Sequence, residues 1–446
     1  MNGLIFVIVS FILGVSIFGQ VKIAPMKFKQ RTLPNGLKVI SLQDNSNPTV
    51  AIRVLYRVGS KDDPEGRSGF AHLFEHMMFK STKNMKSEMI DRLTEDVGGY
   101  NNASTWDDFT NYFEVVPSNY LESLLWAEAD RMVNLNVDEE NFRSERDVVK
   151  EEFRQRILAQ PYGMLFGQYI EKLSFSVHPY KRPGIGNLEE LDAATLDDVR
   201  NFYKTFYRPD NAVLIVVGDF EQEKLDFWID KYFGKIPKPE SEIPRVNVVE
   251  PERTKEQRYT KTAPNVPFPA VAITYLAPPS KSKNVPALRL AEVILSQGES
   301  SRLYQSLVYK QQIAQEAGFN VDIRVDKGLL YFYAIASEGK KAEQLEKALL
   351  AELKKIQEKG VSARELRKAK NQIISSFLQE IETNDGKASA IERAVAFYDD
   401  PNAVNEEIRK IEAVTLEDIK RVMNKYFTET NRVVIHYLQE GEEKKK

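Results

Sequence analysis

Apolar and polar residues alternate in part over Leu37–Leu42, and apolar residues crowd together over Val50–Val58. Both stretches are rich in Val and Ile and read as strands. An irregular entry segment over Pro25–Pro34 precedes them. From Gly69 to about Lys80, Phe70, Leu73, Phe74, Met77 and Met78 recur at helical spacing, and Ser68 is placed to cap that helix. A further helix is expected from near Ser87, stopping before the Gly98-Gly99 pair. Asp108–Val116 reads as a strand. Asn119–Asn134 and Asp138–Leu158 carry the 3.6-residue period, with many opposite charges four apart.

One apolar run breaks this rhythm. Leu4–Gly19 has no charge and is shorter than the ~20 residues of a bilayer span, which suits the core of a secretory signal. Residues 1–20 are therefore expected to be a signal peptide or an N-terminal anchor. The chain is expected in the periplasm or secreted, and membrane-bound only if that segment stays uncleaved. No later stretch is long and apolar enough to span.

Near the middle, Lys235–Glu256 holds four prolines among many charges, the composition of a linker. It divides the chain into residues 27–235 and 257–442, with 236–256 between them. The two halves share an ending. Thr195-Leu196-Asp197-Asp198-Val199-Arg200 returns as Thr415-Leu416-Glu417-Asp418-Ile419-Lys420, and Asn211 returns as Asn431, each offset by 220 residues. Each copy reads as a helix, a break and a strand. A tandem duplication of an α+β domain accounts for the constant offset.

The 446 residues are 42% hydrophobic and 28% charged, with a net charge of -3, an ordinary globular balance. No basic field favours nucleic acid, and no nucleic-acid-binding motif is present. The absence of cysteine excludes disulfides, thiolate metal sites and a cysteine nucleophile.

Against that background the four histidines stand out, because two of them fall in His72-Leu73-Phe74-Glu75-His76. Positions i, i+3 and i+4 share a helix face, so two imidazoles and a carboxylate project together. The surrounding helix is largely apolar, and charged groups there need a partner. Two neutral imidazoles suit zinc, which wants about four ligands and keeps one place open for water in catalytic sites. Glu75 sits beside the metal position and is placed to act as general base. The third ligand comes from elsewhere. The acidic helix offers Glu139, Glu140, Glu145, Glu151 and Glu152, and Glu145 and Glu152 share a face two turns apart. Spacing does not choose between them, and taken alone this helix reads as a solvated face.

The stretches Gly59–Gly66 and Gly69–Lys80, the block Gly98–Thr105, Glu145–Glu152, His178-Pro179-Tyr180 and Gly186 resemble the pitrilysin/insulinase family of inverted-motif zinc peptidases. The resemblance runs over nearly the whole chain after residue 20. It implies two homologous α/β-sandwich domains forming half of a clamshell. It implies Zn2+ held by His72, His76 and Glu152, with Glu75 catalytic and Glu145 supporting a ligand. It also implies an extended peptide substrate held by pairing with an edge strand, which Asn102, Ala103, Ser104 and Thr105 would border.

Active members commonly add an Arg and a Tyr from the second half, in a segment similar to Ser301–Leu307. Those positions fall on Val308 and Gln315, and nearby Tyr304 and Tyr309 read as packing aromatics. The expectation is thus a zinc metalloendopeptidase, the zinc-bearing subunit of a heterodimer whose homologous partner subunit supplies the Arg and Tyr. The alternative is a non-catalytic or weakly active peptide-binding scaffold. A metal-buffering protein is disfavoured by a single site and no His-rich tract.

Overall fold

The computed structural model describes residues 23–441, and the apolar run Leu4–Gly19 lies outside them. Among the described residues no helix is long and apolar enough to cross a membrane.

Six strands, β1 (Lys29–Thr32), β2 (Lys38–Gln43), β3 (Thr49–Tyr56), β4 (Tyr100–Thr105), β5 (Thr110–Pro117) and β6 (Ala212–Gly218), form a sheet ordered β1-β2-β6-β3-β5-β4. Five more, β7 (Gln257–Ala263), β8 (Ala270–Leu276), β9 (Ala314–Asp322), β10 (Leu329–Ala336) and β11 (Arg432–Gln439), form a second sheet ordered β7-β11-β8-β10-β9. Without β1 the first order maps strand for strand onto the second. The single parallel pair recurs in the same place, β2 with β6 and β7 with β11, and the other pairs are antiparallel. The strands β6 and β8, buried at every position, sit inside their sheets, as continuous apolar runs must.

The repeat extends to single hydrogen bonds. Helices Leu196–Phe206 and Leu416–Tyr426 each start on a capping box, Thr195 with Asp198 and Thr415 with Asp418. Asn211 Nδ2 donates to the Phe206 carbonyl at 2.9 Å, and Asn431 Nδ2 to that of Tyr426 at 2.8 Å.

Each sheet packs its own half's helices on one face, giving two large apolar cores. The other faces are covered reciprocally. Ile391, Ala394 and Val395 of helix Asn384–Tyr398 cover Ile40, Ala51 and Ile215 of the first sheet. Leu165, Ile170 and Phe175, around helix Ile170–Ser174, cover Ala272, Leu329 and Ile435 of the second. Arg53 on β3 reaches across to Asp385 at 2.6 Å and Glu392 at 2.7 Å. Residues 236–256 contain no helix or strand, yet they are tied down. Glu250 accepts from the backbone N–H groups of Ser176, Val177 and His178.

Four helices of the first half matter to the site: α1 (Phe70–Met77), α2 (Met89–Glu95), α3 (Leu121–Asn134) and α4 (Glu139–Phe153). Helix α1 is shorter than its apolar spacing suggests, because the chain leaves the helix at Met78 and its backbone tightens toward Glu75 and His76. The expected cap is also corrected. Ser68 donates its N–H to Glu190, Gly69 occupies the N-cap at φ 91°, and Asp63 accepts from the N–H groups of Gly69 (2.7 Å) and Ala71 (2.8 Å). A Cβ at Gly69 would meet the Ile185 carbonyl oxygen at 2.9 Å, so both conformation and crowding call for glycine. Helix α4 is capped by Asp138 and ends at Phe153, where the expected helix continues as one π-type turn to Leu158.

Candidate metal centre and its edge strand

Helix α1 buries Phe70, Leu73, Phe74 and Met77 in the first core and turns its half-buried His72, Glu75 and His76 toward α4. The chain-distant α4 supplies carboxylates at the matching height. Among the described residues, His72, His76 and Glu152 form the one group whose ligand atoms all lie within 4.8 Å of one another. The Nε2 atoms of His72 and His76 stand 3.6 Å and 3.4 Å from the same atom, Glu152 Oε2. Those separations are long for hydrogen bonds. They match the edges of a coordination tetrahedron, since two ligands ~2.1 Å from one ion stand about 3.4 Å apart. The rings of His72 and His76 are perpendicular, with centroids 4.9 Å apart. Two imidazoles and one carboxylate fit a hydrolytic divalent-metal site in number, type and spacing.

Glu145 stands behind His76, its Oε2 3.5 Å from Nδ1, and Lys80 holds its other oxygen at 2.6 Å. Glu139, Glu140 and Glu151 are exposed. Within the set left open by spacing, the fold therefore brings Glu152 to both imidazoles and Glu145 to the outer nitrogen of one.

Without an ion, burial pushes the His72 pKa down to about 4, and the neighbouring His76 adds to the fall. Burial also opposes charge on His76, but Glu145 and Glu152 outweigh it and raise that group to about 9. Burial would raise the Glu145 pKa, but His76 and Lys80 hold it below its ordinary range, and the contact with His76 holds Glu152 low against burial. Glu75 differs. Burial raises its pKa, only partly offset by Thr105, whose Oγ1 donates to Glu75 Oε2 at 2.5 Å.

Thr105 ends β4, so the edge strand and α1 meet at Glu75. Asn102, Ala103 and Ser104 belong to that strand itself rather than flanking it, a correction to the expected arrangement. Pairing with β5 makes this segment a strand, and Gly98-Gly99 closes the turn before it tightly: a Cβ at Gly99 would lie 2.2 Å from the Val115 carbonyl oxygen. The N–H of Ala103 donates to the Asn102 side chain at 2.8 Å. Lys80 and Thr105 lie in the stretches that carry the family resemblance, but their partners Glu145 and Glu75 come from other elements, so the spacing within those stretches does not show these contacts.

In the second half, Val308 packs against the second core, and Gln315 donates to the Ala336 carbonyl at 3.0 Å. Tyr309 is 66% exposed, which corrects its reading as a packing aromatic.

Residues 38–167 match the family model described as Insulinase (Peptidase family M16), and residues 193–373 match the one described as Peptidase M16 inactive domain. The chain is 32% identical to the zinc protease PqqE of Helicobacter pylori over 412 residues, 92% of each chain. It is 26% identical to the probable mitochondrial-processing peptidase subunit beta of Arabidopsis thaliana, over 89% of this chain and 75% of that one. Among solved structures, a protease from Helicobacter pylori superposes with a TM-score of 0.88 at 31% identity, covering 92% of this chain and 99% of that one. The fold is thus two homologous α/β-sandwich domains forming half of a clamshell. With both halves matched in order and a relative 32% identical over 92% of each chain, the chain belongs to the insulinase family of peptidases, peptidase family M16.

Proposed function

We propose that this chain is a zinc metalloendopeptidase that hydrolyses extended or unfolded peptides inside a dimer chamber. The observation that carries this reading is the convergence of two imidazoles and one carboxylate beside a buried carboxylate, Glu75, anchored to an open sheet edge. In this reading His72, His76 and Glu152 would hold Zn2+, and the bound ion would supply Lewis-acid chemistry to a water and a peptide carbonyl. Glu75 accepts the proton of the attacking water, helped by the burial that raises its basicity. Thr105 keeps its carboxylate aimed, and Glu145 with Lys80 orients His76. The edge of β4 over Asn102, Ala103 and Ser104 pairs with substrate backbone, which makes selectivity for side chains loose.

The partner follows from what is missing. Val308 and Gln315 stand where the family resemblance implies an Arg and a Tyr, so in this reading a homologous partner subunit supplies them. Pitrilysin, of which this chain covers 44%, gives support as a single chain of about two such lengths. The run Leu4–Gly19 supports an exported protein, periplasmic or secreted.

Glu75→Gln keeps the ligand atoms and removes the base. The variant is expected to retain one zinc per chain and lose hydrolysis of an unstructured reporter peptide by ~10²–10⁴-fold. Hydrolysis equal to wild type would reject the assignment. The second reading, a peptide-binding scaffold, is favoured by Val308 and Gln315. It predicts peptide binding with no turnover even when a homologous chain carrying the Arg and Tyr is added.

A further inference from the structure

The loop Gly59–Asp63 bonds at one end to the residues that follow β4 and at the other to the first turn of α1, beside the direct contact of Thr105 with Glu75. Ser60 and Lys61 donate their backbone N–H groups to the Trp106 and Asp107 carbonyls, each at 3.1 Å. Ser60 Oγ adds a bond to Asp107 at 2.9 Å. At its other end Asp63 caps α1 through Gly69 and Ala71, directly before His72. The contact has no slack: a Cβ at Gly59 would lie 2.3 Å from the Trp106 carbonyl oxygen.

The far side of this junction is gripped from the second half. Arg324, in the turn between β9 and β10, is buried and meets Asp107 at 3.1 Å, Asp322 at 2.8 Å and Glu171 at 2.5 Å. The next N–H, of Val325, donates to Asp108 at 2.9 Å. Asp108 also receives Lys61 Nζ at 2.7 Å and the Tyr180 hydroxyl at 2.5 Å. Resting on the peptidase reading above, we propose that Gly59–Asp63 is a spacer setting edge strand β4 against Glu75, and that Arg324, Lys61 and Tyr180 are positioning residues that lock it.

An ordinary tether between halves is the plainer account, but it does not explain the placement. The halves are already joined by two apolar contacts and by Arg53 with Asp385 and Glu392. This cluster instead acts on Asp107 and Asp108, immediately past Thr105, which holds Glu75. Small displacements at such a point are costly, because an error of ~1 Å in reacting geometry lowers rate by up to about a hundredfold. The second half would thereby serve catalysis without contributing a ligand.

The test uses the full zinc-loaded chain, with its partner chain if turnover requires it. Tyr180→Phe removes one hydroxyl and keeps the packing. It is expected to lower kcat on a reporter peptide about tenfold, leave KM and zinc content unchanged, and add cleavage positions seen by mass spectrometry. Amide exchange over Tyr100–Thr105 is expected to rise while exchange elsewhere stays level. Arg324→Lys should fall between wild type and Arg324→Met, since lysine keeps charge but not the fork. Unchanged exchange in β4, or exchange rising evenly over both halves, overturns the proposal whatever the activity. Glu75→Gln with full activity would instead sink the peptidase reading and leave the clamp standing.

Discussion

Glu145 and Glu152 are one helix face and two turns apart, yet the fold gives them different work. Glu152 faces both imidazoles, while Glu145 touches only the outer nitrogen of His76 and is neutralised in part by Lys80. Their substitutions are therefore expected to differ. Glu152→Gln should abolish stoichiometric zinc after dialysis, measured by atomic absorption. Glu145→Gln should retain it with ~10–100-fold weaker affinity in a chelator competition, since an outer partner tunes a ligand rather than binding the ion. Comparable losses would mean that the two carboxylates share one role. Thr105 is the other decisive residue, because its hydroxyl ties the proposed base to the proposed substrate edge, β4.

At the scale of elements, the duplicated helix starts show how local chemistry repeats. Thr195 and Thr415 make the same capping box, so Thr195→Ala and Thr415→Ala should each cost about 1 kcal/mol in denaturant unfolding. Between elements, Glu346 on helix Ala342–Lys359 joins β7 and β11 through Arg258 at 2.7 Å and His436 at 2.7 Å. Burial would raise its pKa, but those two partners bring it down to about 2 from 4.5. A lowered carboxylate contributes stability fully above about pH 4.5 and loses it as pH falls toward 2. Glu346→Gln should lose roughly 1–2 kcal/mol at pH 7, and the difference from wild type should vanish near pH 2. A difference independent of pH would contradict the assigned cause.

Across the whole molecule, the reciprocal cover makes the two halves one unit. The first sheet leaves Ile40, Ala51, Leu55 and Ile215 to be covered by helix Asn384–Tyr398 of the second half. Residues 27–235 expressed alone would expose that face and leave Arg53 without Asp385 and Glu392. The fragment is expected to aggregate on size-exclusion chromatography, and co-expression with the remainder should restore a soluble complex. A monodisperse, folded fragment would show that the shared faces are dispensable.

Much of this was legible in one dimension. The helix turn His72–His76, the repeat at a constant offset and the run of strands and helices depend on residues near in sequence, where period and capping act directly. The pairing of Glu145 and Glu152 to their separate imidazole nitrogens did not follow from spacing, because either carboxylate satisfies the same helical face. Only the packing of α4 against α1 set the height and rotation that separate them. The same holds for Ser68, displaced as a cap by Asp63 because a loop folds back, and for β4, made a strand by pairing with β5 rather than by its own Asn-rich sequence. Sequence by itself determined which chemical groups the chain carries and which local periods it obeys. Tertiary structure decided which groups meet, since contacts between distant segments depend on the packing of whole faces.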